Sequence, residues 1–268
     1  MTDSTHGVDA GVKVAIDKKV YANGTCTIEG LDFSAKAGEF IAIVGPSGSG
    51  KTTLLKIIAG IDRQVEGEVT INGQVTHEPD IGFMFQESRL MPWLTIKENI
   101  EMVLKETDSK TSINDKINQL LEQVDLTEFA DNYPKQLSGG MKRRAALVRA
   151  FINHPSLLLM DEPFQSLDEP TADSLRQLLL TLWKDTQPIV LFVTHTLREA
   201  LALADRVIFL SARPSRVILE HTIEIPRPRK LEDDAINALH AQLLNEYPQL
   251  LSGSLVKMSN TKILDSES

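Results

Sequence analysis

The residues best equipped for chemistry begin with GPSGSGKTT at 45–53. Gly45, Gly48 and Gly50 carry no Cβ, so the backbone can curl around a phosphate that side chains would keep away. Pro46, Ser47 and Ser49 complete the loop. Lys51 offers a positive charge to the β- and γ-phosphates of a nucleoside triphosphate, Thr52 a hydroxyl to Mg²⁺, and Thr53 one hydroxyl more. The apolar run EFIAIVG (39–45) leads in and TTLLKIIAG (52–60) leads out with helical spacing, the strand–loop–helix context in which such a loop binds phosphate.

A second group lies at the ends of buried runs. SLLLMDEP (156–163) sets Asp161 and Glu162 where an apolar strand stops, the edge at which a parallel sheet meets its ligand. Adjacent residues there point different ways: Asp161 suits Mg²⁺ through its water shell, and Glu162 suits an attacking water as base or orienter. His195 ends PIVLFVTH (188–195) at the same edge, placed for a γ-phosphate or for Glu162. Gln86 follows Phe83, Met84 and Phe85 at the start of a helical stretch; its amide can touch Mg²⁺ and water while tethering that stretch. LSGGMKRR (137–144) adds Ser138, Gly139 and Gly140 at a helix start, a second place where free N–H groups and the helix dipole favour an anion. Its basic residues Lys142, Arg143 and Arg144 read as a solvated helical face.

The elements that must position these groups follow from the pattern. Val12 to Ile43 alternates as strands do, with ANGT (22–25) as a hairpin turn. GEVTINGQVT (67–76) predicts a second hairpin turning at Asn72-Gly73. From about 95 to 153 the pattern is helical, with Ile113, Ile117, Leu120, Leu121 and Val124 on one face. Helical segments at 172–185 and 197–205 separate or follow the buried strands, 206–225 returns to β character, and 231–247 predicts a last helix. Residues 1–11 and 252–268 read as loose ends. The expected division is a flexible stretch 1–11, a nucleotide-binding domain 12–230 with a helical subdomain at about 87–155, and a C-terminal helix and polar tail at 231–268.

Bulk composition narrows the function classes. The 268 residues are 42% hydrophobic and 24% charged, as in ordinary globular proteins. A net charge of −9 gives no global attraction to nucleic acid. Cys26 is the single cysteine, so neither an internal disulfide nor a cysteine-based zinc site is expected. The polar opening MTDSTHGVDA does not read as a secretory signal, and no apolar run approaches the ~20 residues a membrane helix needs.

Taken in order, the phosphate loop, Gln86, LSGGM, LLLMDEP, SLD (166–168) and His195 resemble the ATP-binding-cassette (ABC) ATPases over residues ~12 to 230. The resemblance implies an α/β phosphate-loop NTPase with a RecA-like core, an N-terminal antiparallel β subdomain and a helical subdomain. It implies ATP and Mg²⁺, with Thr52, Gln86 and Asp161 at the metal and Glu162, His195 and Gln86 in catalysis. It further implies two subunits facing head to tail, so that Ser138, Gly139 and Gly140 read the partner's γ-phosphate and Asp168 sits in the loop joining the two sites. Tyr21 is then the aromatic that stacks on adenine. Met141 stands where Gln is most common, and Gln165 where a small residue is usual.

QESRLMPWLTIKENI (86–100) and LSARPSRVILEHTIEIPRPR (210–229) resemble the nitrate/sulfonate/taurine-type importer ATPases, which share Pro-Trp after the glutamine loop and Pro-Arg-Pro-Arg near the end. This branch implies integral permease subunits as direct partners, docking on Leu90, Met91, Pro92 and Trp93, and indirectly a solute-binding protein. It places the chain on the cytoplasmic face of the inner membrane, peripheral through the permease. The alternatives are a soluble non-transport ATPase of the same family, or another importer or lipid-transport branch. The single ATPase unit, the absence of heptads and the acidic charge weigh against the soluble kind.

Overall fold

The computed structural model describes residues 11–75, 80–104 and 110–257, and side chains over the same ranges except 110–112. Most of the ends expected to be loose lie outside these residues. Of those inside, Gly11 pairs with Lys36 and Gly253 is buried, whereas Ser252 and residues 254–257 are exposed.

The strands are β1 (Gly11–Val20), β2 (Cys26–Lys36), β3 (Phe40–Val44), β4 (Glu66–Ile71), β5 (Ile81–Met84), β6 (Leu157–Asp161), β7 (Ile189–Thr194), β8 (Arg206–Leu210) and β9 (Val217–Thr222). The helices are α1 (Lys51–Ile58), α2 (Ile96–Glu101), α3 (Lys110–Gln123), α4 (Gly139–Phe151), α5 (Glu169–Thr186), α6 (Leu197–Leu203) and α7 (Asp234–Glu246). Two sheets form. The smaller is antiparallel, in the order β2-β1-β4, and the larger runs β5-β6-β7-β3-β8-β9 with only β9 antiparallel.

The sequence explains the difference between the sheets. β1 alternates buried and exposed side chains because one face is solvated, whereas every residue of β3, β6 and β7 is buried because both faces of the parallel sheet are covered. The Asn72-Gly73 turn forms with both residues at positive φ (52° and 72°), as a type I′ turn requires, and Ile71 and Gln74 exchange backbone hydrogen bonds across it. The second arm is described only to Val75.

One core fills the space between the larger sheet, α5 and α6, and α7 joins it through Ile236 and Leu243. A second lies between that sheet, α1 and the antiparallel sheet. The third, built on Ile96, Ile100, Ile117, Leu121, Val124, Leu137, Ala145, Val148 and Ile152, holds α2, α3 and α4 together. In the Pro-Arg-Pro-Arg stretch, Arg227 pairs with Asp205 and covers the Trp183 ring at 4.7 Å, while buried Arg229 donates to the Leu201 carbonyl at 2.6 Å. Burial, and next the neighbouring Arg227, lower the Arg229 pKa to about 10. This stretch therefore straps the chain leaving β9 onto α6.

Candidate functional site

The loop between β3 and α1 closes around its own lysine. Lys51 is 5% exposed and donates to the carbonyls of Gly45 at 2.8 Å and Pro46 at 3.0 Å. Burial lowers its pKa, and the nearby Glu162 and Asp161 charges oppose that shift. Gly48 and Gly50 hold φ of 76° and 105°, in the left-handed region that other residues resist. A Cβ on Gly50 would also lie 2.7 Å from Thr27 Cγ2. Ser49 is buried with its hydroxyl unpartnered, and Gly45, Pro46 and Ser49 do not line the cavity above the loop.

A cavity of about 500 Å³ opens above this loop. Tyr21, Ser47, Gly48, Lys51, Thr52 and Thr53 line one side, and Gln86, Glu162, Gln165 and His195 the other. Tyr21 is half-exposed, and its hydroxyl lies 2.9 Å from Thr53 Oγ1, so the ring stands at the cavity rim.

β6 and β7 deliver the acidic edge. Thr52 Oγ1 donates to Asp161 Oδ1 at 3.1 Å. Burial raises the Asp161 pKa against the pull of the Thr52 hydrogen bond, with Glu162 adding to the rise and Lys51 opposing it. Glu162 turns out of the strand at φ 45°, its N–H donating to the Val193 carbonyl, and its Oε2 lies 2.9 Å from His195 Nδ1. A carboxylate only accepts, so Nδ1 carries the proton of that bond. The hydroxyl of Thr52 and the carboxylate of Asp161 are hard oxygen donors, and with a triphosphate present they fit Mg²⁺, which takes few protein ligands.

The other residues singled out from sequence lie elsewhere. Ser138 and Gly139 are exposed at the start of α4, where Ser138 accepts from the Met141 N–H at 3.2 Å. They do not line the cavity. Gly140 packs on α5, and a Cβ there would meet Thr171 Cγ2 at 2.5 Å. Asp168 caps α5 through the Thr171 N–H (3.1 Å) and hydroxyl (2.8 Å), bonds that lower its pKa.

One expectation needs correction. Arg143 and Arg144 are not a solvated face. Arg143 is buried and donates to the carbonyls of Phe85 (3.1 Å) and Gln165 (3.4 Å), while Arg144 reaches Val124, Asp125 and Ser174. Gln165, whose role the sequence left open, accepts through its Oε1 from the Gln86 amide. Arg149 adds bonds to the Ser88 and Arg89 carbonyls at 2.9 and 2.8 Å. Thus α4 carries Ser138–Gly140 at one end and grips the chain around Gln86 with two arginines.

Next to that grip, Asn99 clamps the turn at 91–95. Its Oδ1 accepts from the Met91 N–H at 2.6 Å, and its Nδ2, with two protons to give, lies within hydrogen-bond distance of the carbonyls of Met91, Leu94 and Thr95. The clamped turn holds Trp93 71% exposed, beside a cavity of about 340 Å³ lined by Phe83, Phe85, Met91 and Met102. Among the described residues, no helix is long and apolar enough to cross a membrane.

The ABC transporter family model matches residues 28–165. The aliphatic sulfonates import ATP-binding protein SsuB of Bacillus cereus is 38% identical, over 92% of this chain and 99% of its own length. The SsuB 1 protein of Pseudomonas savastanoi is 39% identical over 89% of this chain and 96% of its own length, and SsuB of Bacillus subtilis 37% over 88% and 94%. Among solved structures, the dimeric ATP-binding cassette MJ0796 in a post-hydrolysis state with ADP and Pi is similar at a TM-score of 0.71 and 32% identity. It covers 80% of this chain and 100% of the other.

Proposed function

The chain belongs to the ABC transporter family, and from that premise we propose that it is the ATP-hydrolysing subunit of an importer for a small anionic or organic solute of the nitrate, sulfonate or taurine type. The observation that carries the reading is a division of the site: Lys51, Thr52, Glu162 and His195 converge on one cavity, whereas Ser138 and Gly139 stand exposed outside it. One subunit can bind ATP; a second copy must supply the closing N–H groups.

In this reading the loop N–H groups and Lys51 hold the β- and γ-phosphates, and Tyr21 covers the adenine. Thr52 and Asp161, with Gln86, would hold Mg²⁺, which when bound neutralises charge on the β- and γ-phosphates. Glu162 accepts a proton from the water that attacks the γ-phosphorus, the bond to the bridging oxygen breaks, and ADP departs. His195 holds Glu162 in place by its 2.9 Å bond. Ser138, Gly139 and Gly140 of the facing subunit stabilise the charge on the γ-phosphate, and Asp168 lies in the loop that links the two sites.

Coupling runs through α4. Its start meets the partner's nucleotide, and Arg143 and Arg149 hold the backbone leading from Gln86 to the Trp93 turn. Closure over ATP therefore moves the exposed Trp93 surface, on which an integral permease subunit docks; a solute-binding protein delivers cargo on the far side. The chain works at the cytoplasmic face, held to the membrane by that permease.

Replacing Ser138 by Arg tests the shared site. ATP binding to the isolated subunit should persist while hydrolysis falls at least ~100-fold, the loss typical of a removed transition-state donor. An unchanged hydrolysis rate would overturn the two-subunit reading.

A further inference from the structure

We propose that Arg213, on the loop between β8 and β9, binds the nucleotide and places a second cation against its phosphates; the proposal rests on the ATPase reading above. Arg213 lines the same cavity as Tyr21, Thr27, Gly48 and Thr53. Its Nε donates to the Gly48 carbonyl, so the guanidinium lies across the phosphate loop. A Cβ on Gly48 would meet its terminal nitrogen at 2.8 Å.

The loop that carries Arg213 is built and held. Ser211 Oγ lies 2.8 Å from the Ala212 carbonyl and 3.0 Å from the Pro214 carbonyl, between which its one proton is shared, and accepts from the Arg216 N–H at 2.9 Å. The Ser215 N–H donates to the Thr27 carbonyl at 2.8 Å, and the Glu29 N–H to the Ser215 carbonyl at 3.2 Å, which fastens the loop to β2. From behind, Gly253 leaves no room: a Cβ there would lie 2.3 Å from the Ala212 nitrogen and 3.1 Å from Pro46 Cγ. The segment after α7 thus wedges this loop against the phosphate loop.

Charge pairing separates Arg213 from its neighbours. Arg216, in the same loop, pairs with Glu29, and Arg206, at the start of β8, pairs with Glu39 and Glu220. Among the described residues no carboxylate comes within ion-pair distance of Arg213. Its terminal nitrogens are donors aimed by the Nε bond, and a planar guanidinium so oriented loses little freedom when it takes up a phosphate oxygen. Lys51, buried at the cavity floor, is the first cation, and the exposed Arg213 adds a second at the mouth.

The test compares Arg213→Ala, Arg213→Lys and Arg216→Ala with the unaltered chain in binding of ATP, ADP and adenosine. Arg213→Ala should weaken ATP and ADP about tenfold, the scale of one charge-assisted hydrogen bond at an exposed site. The KM for ATP should rise in step with little change in kcat, and adenosine, lacking phosphate, should bind as before. Arg213→Lys should recover part of the loss, and Arg216→Ala should bind normally at an unchanged melting temperature. ATP and ADP affinities within twofold of the unaltered chain in Arg213→Ala would overturn the proposal, as would a loss confined to kcat. Failure of the unaltered chain to bind ATP would instead overturn the ATPase reading.

Discussion

Glu162→Gln separates binding from chemistry most cleanly. The amide keeps the shape of the carboxylate and can still accept the Nδ1 proton of His195, now 2.9 Å from Oε2, so the local geometry survives. What disappears is the base. Loss of a positioned general base costs ~10²- to 10⁴-fold in rate. The same change removes a negative charge from a cavity that takes up a polyanion. At ~7 Å and an effective dielectric of ~40, that repulsion is about 1 kcal/mol, so ATP affinity should rise about fivefold. If hydrolysis is the exit from the closed dimer, slowing it ~100-fold or more lengthens the closed lifetime by the same factor. The assay is gel filtration of the variant with Mg·ATP, alongside phosphate release under the same conditions. A stable dimer that appears with ATP and not with ADP is expected. Turnover within threefold of the unaltered chain, or a monomer at saturating Mg·ATP, would refute the assignment of Glu162 as base in a shared site.

Two more outcomes are open to measurement. Trp93→Ala removes a side chain that is 71% exposed, so the melting temperature should hold while permease-stimulated ATPase activity falls more than ~10-fold, as for a central interface aromatic; full stimulation would exclude Trp93 from the docking surface. Burial raises the Asp161 pKa in the folded chain, so the folded state binds that proton more tightly than the unfolded one and loses stability as pH rises through the raised value. Asp161→Asn should therefore raise the melting temperature of the nucleotide-free chain at pH 8, with the gain shrinking as pH falls through the raised value toward the ordinary carboxylate pKa of ~4. An equal gap at pH 8 and at pH ~4 would show that burial of charge is not its cause.

The parts of this protein that were legible in sequence are those where chemistry or burial dictates residue type locally. A phosphate loop needs glycine where φ is positive, and Gly48 and Gly50 are found there. A strand covered on both faces must be apolar throughout, so β3, β6 and β7 could be read directly, and with them the common edge where Asp161, Glu162 and His195 emerge. The Asn72-Gly73 turn was legible for the same reason.

Long, flexible side chains were not legible, because what they touch is set by elements far away in the chain. Arg143 and Arg144 read as solvated until α4 was seen to lie against the Gln86 segment and α3. Gln165 gained a role only once its loop faced Gln86, 79 residues away. Arg213 meets Gly48 across 165 residues, through a loop held by Gly253. The sequence by itself determined that the chain carries the groups for ATP chemistry and the order in which they come. Only the tertiary structure decided that the signature residues stand outside the cavity and which arginines are committed to backbone carbonyls. The reason is physical: residue type limits what a group can do, whereas the packing of distant elements determines what it meets.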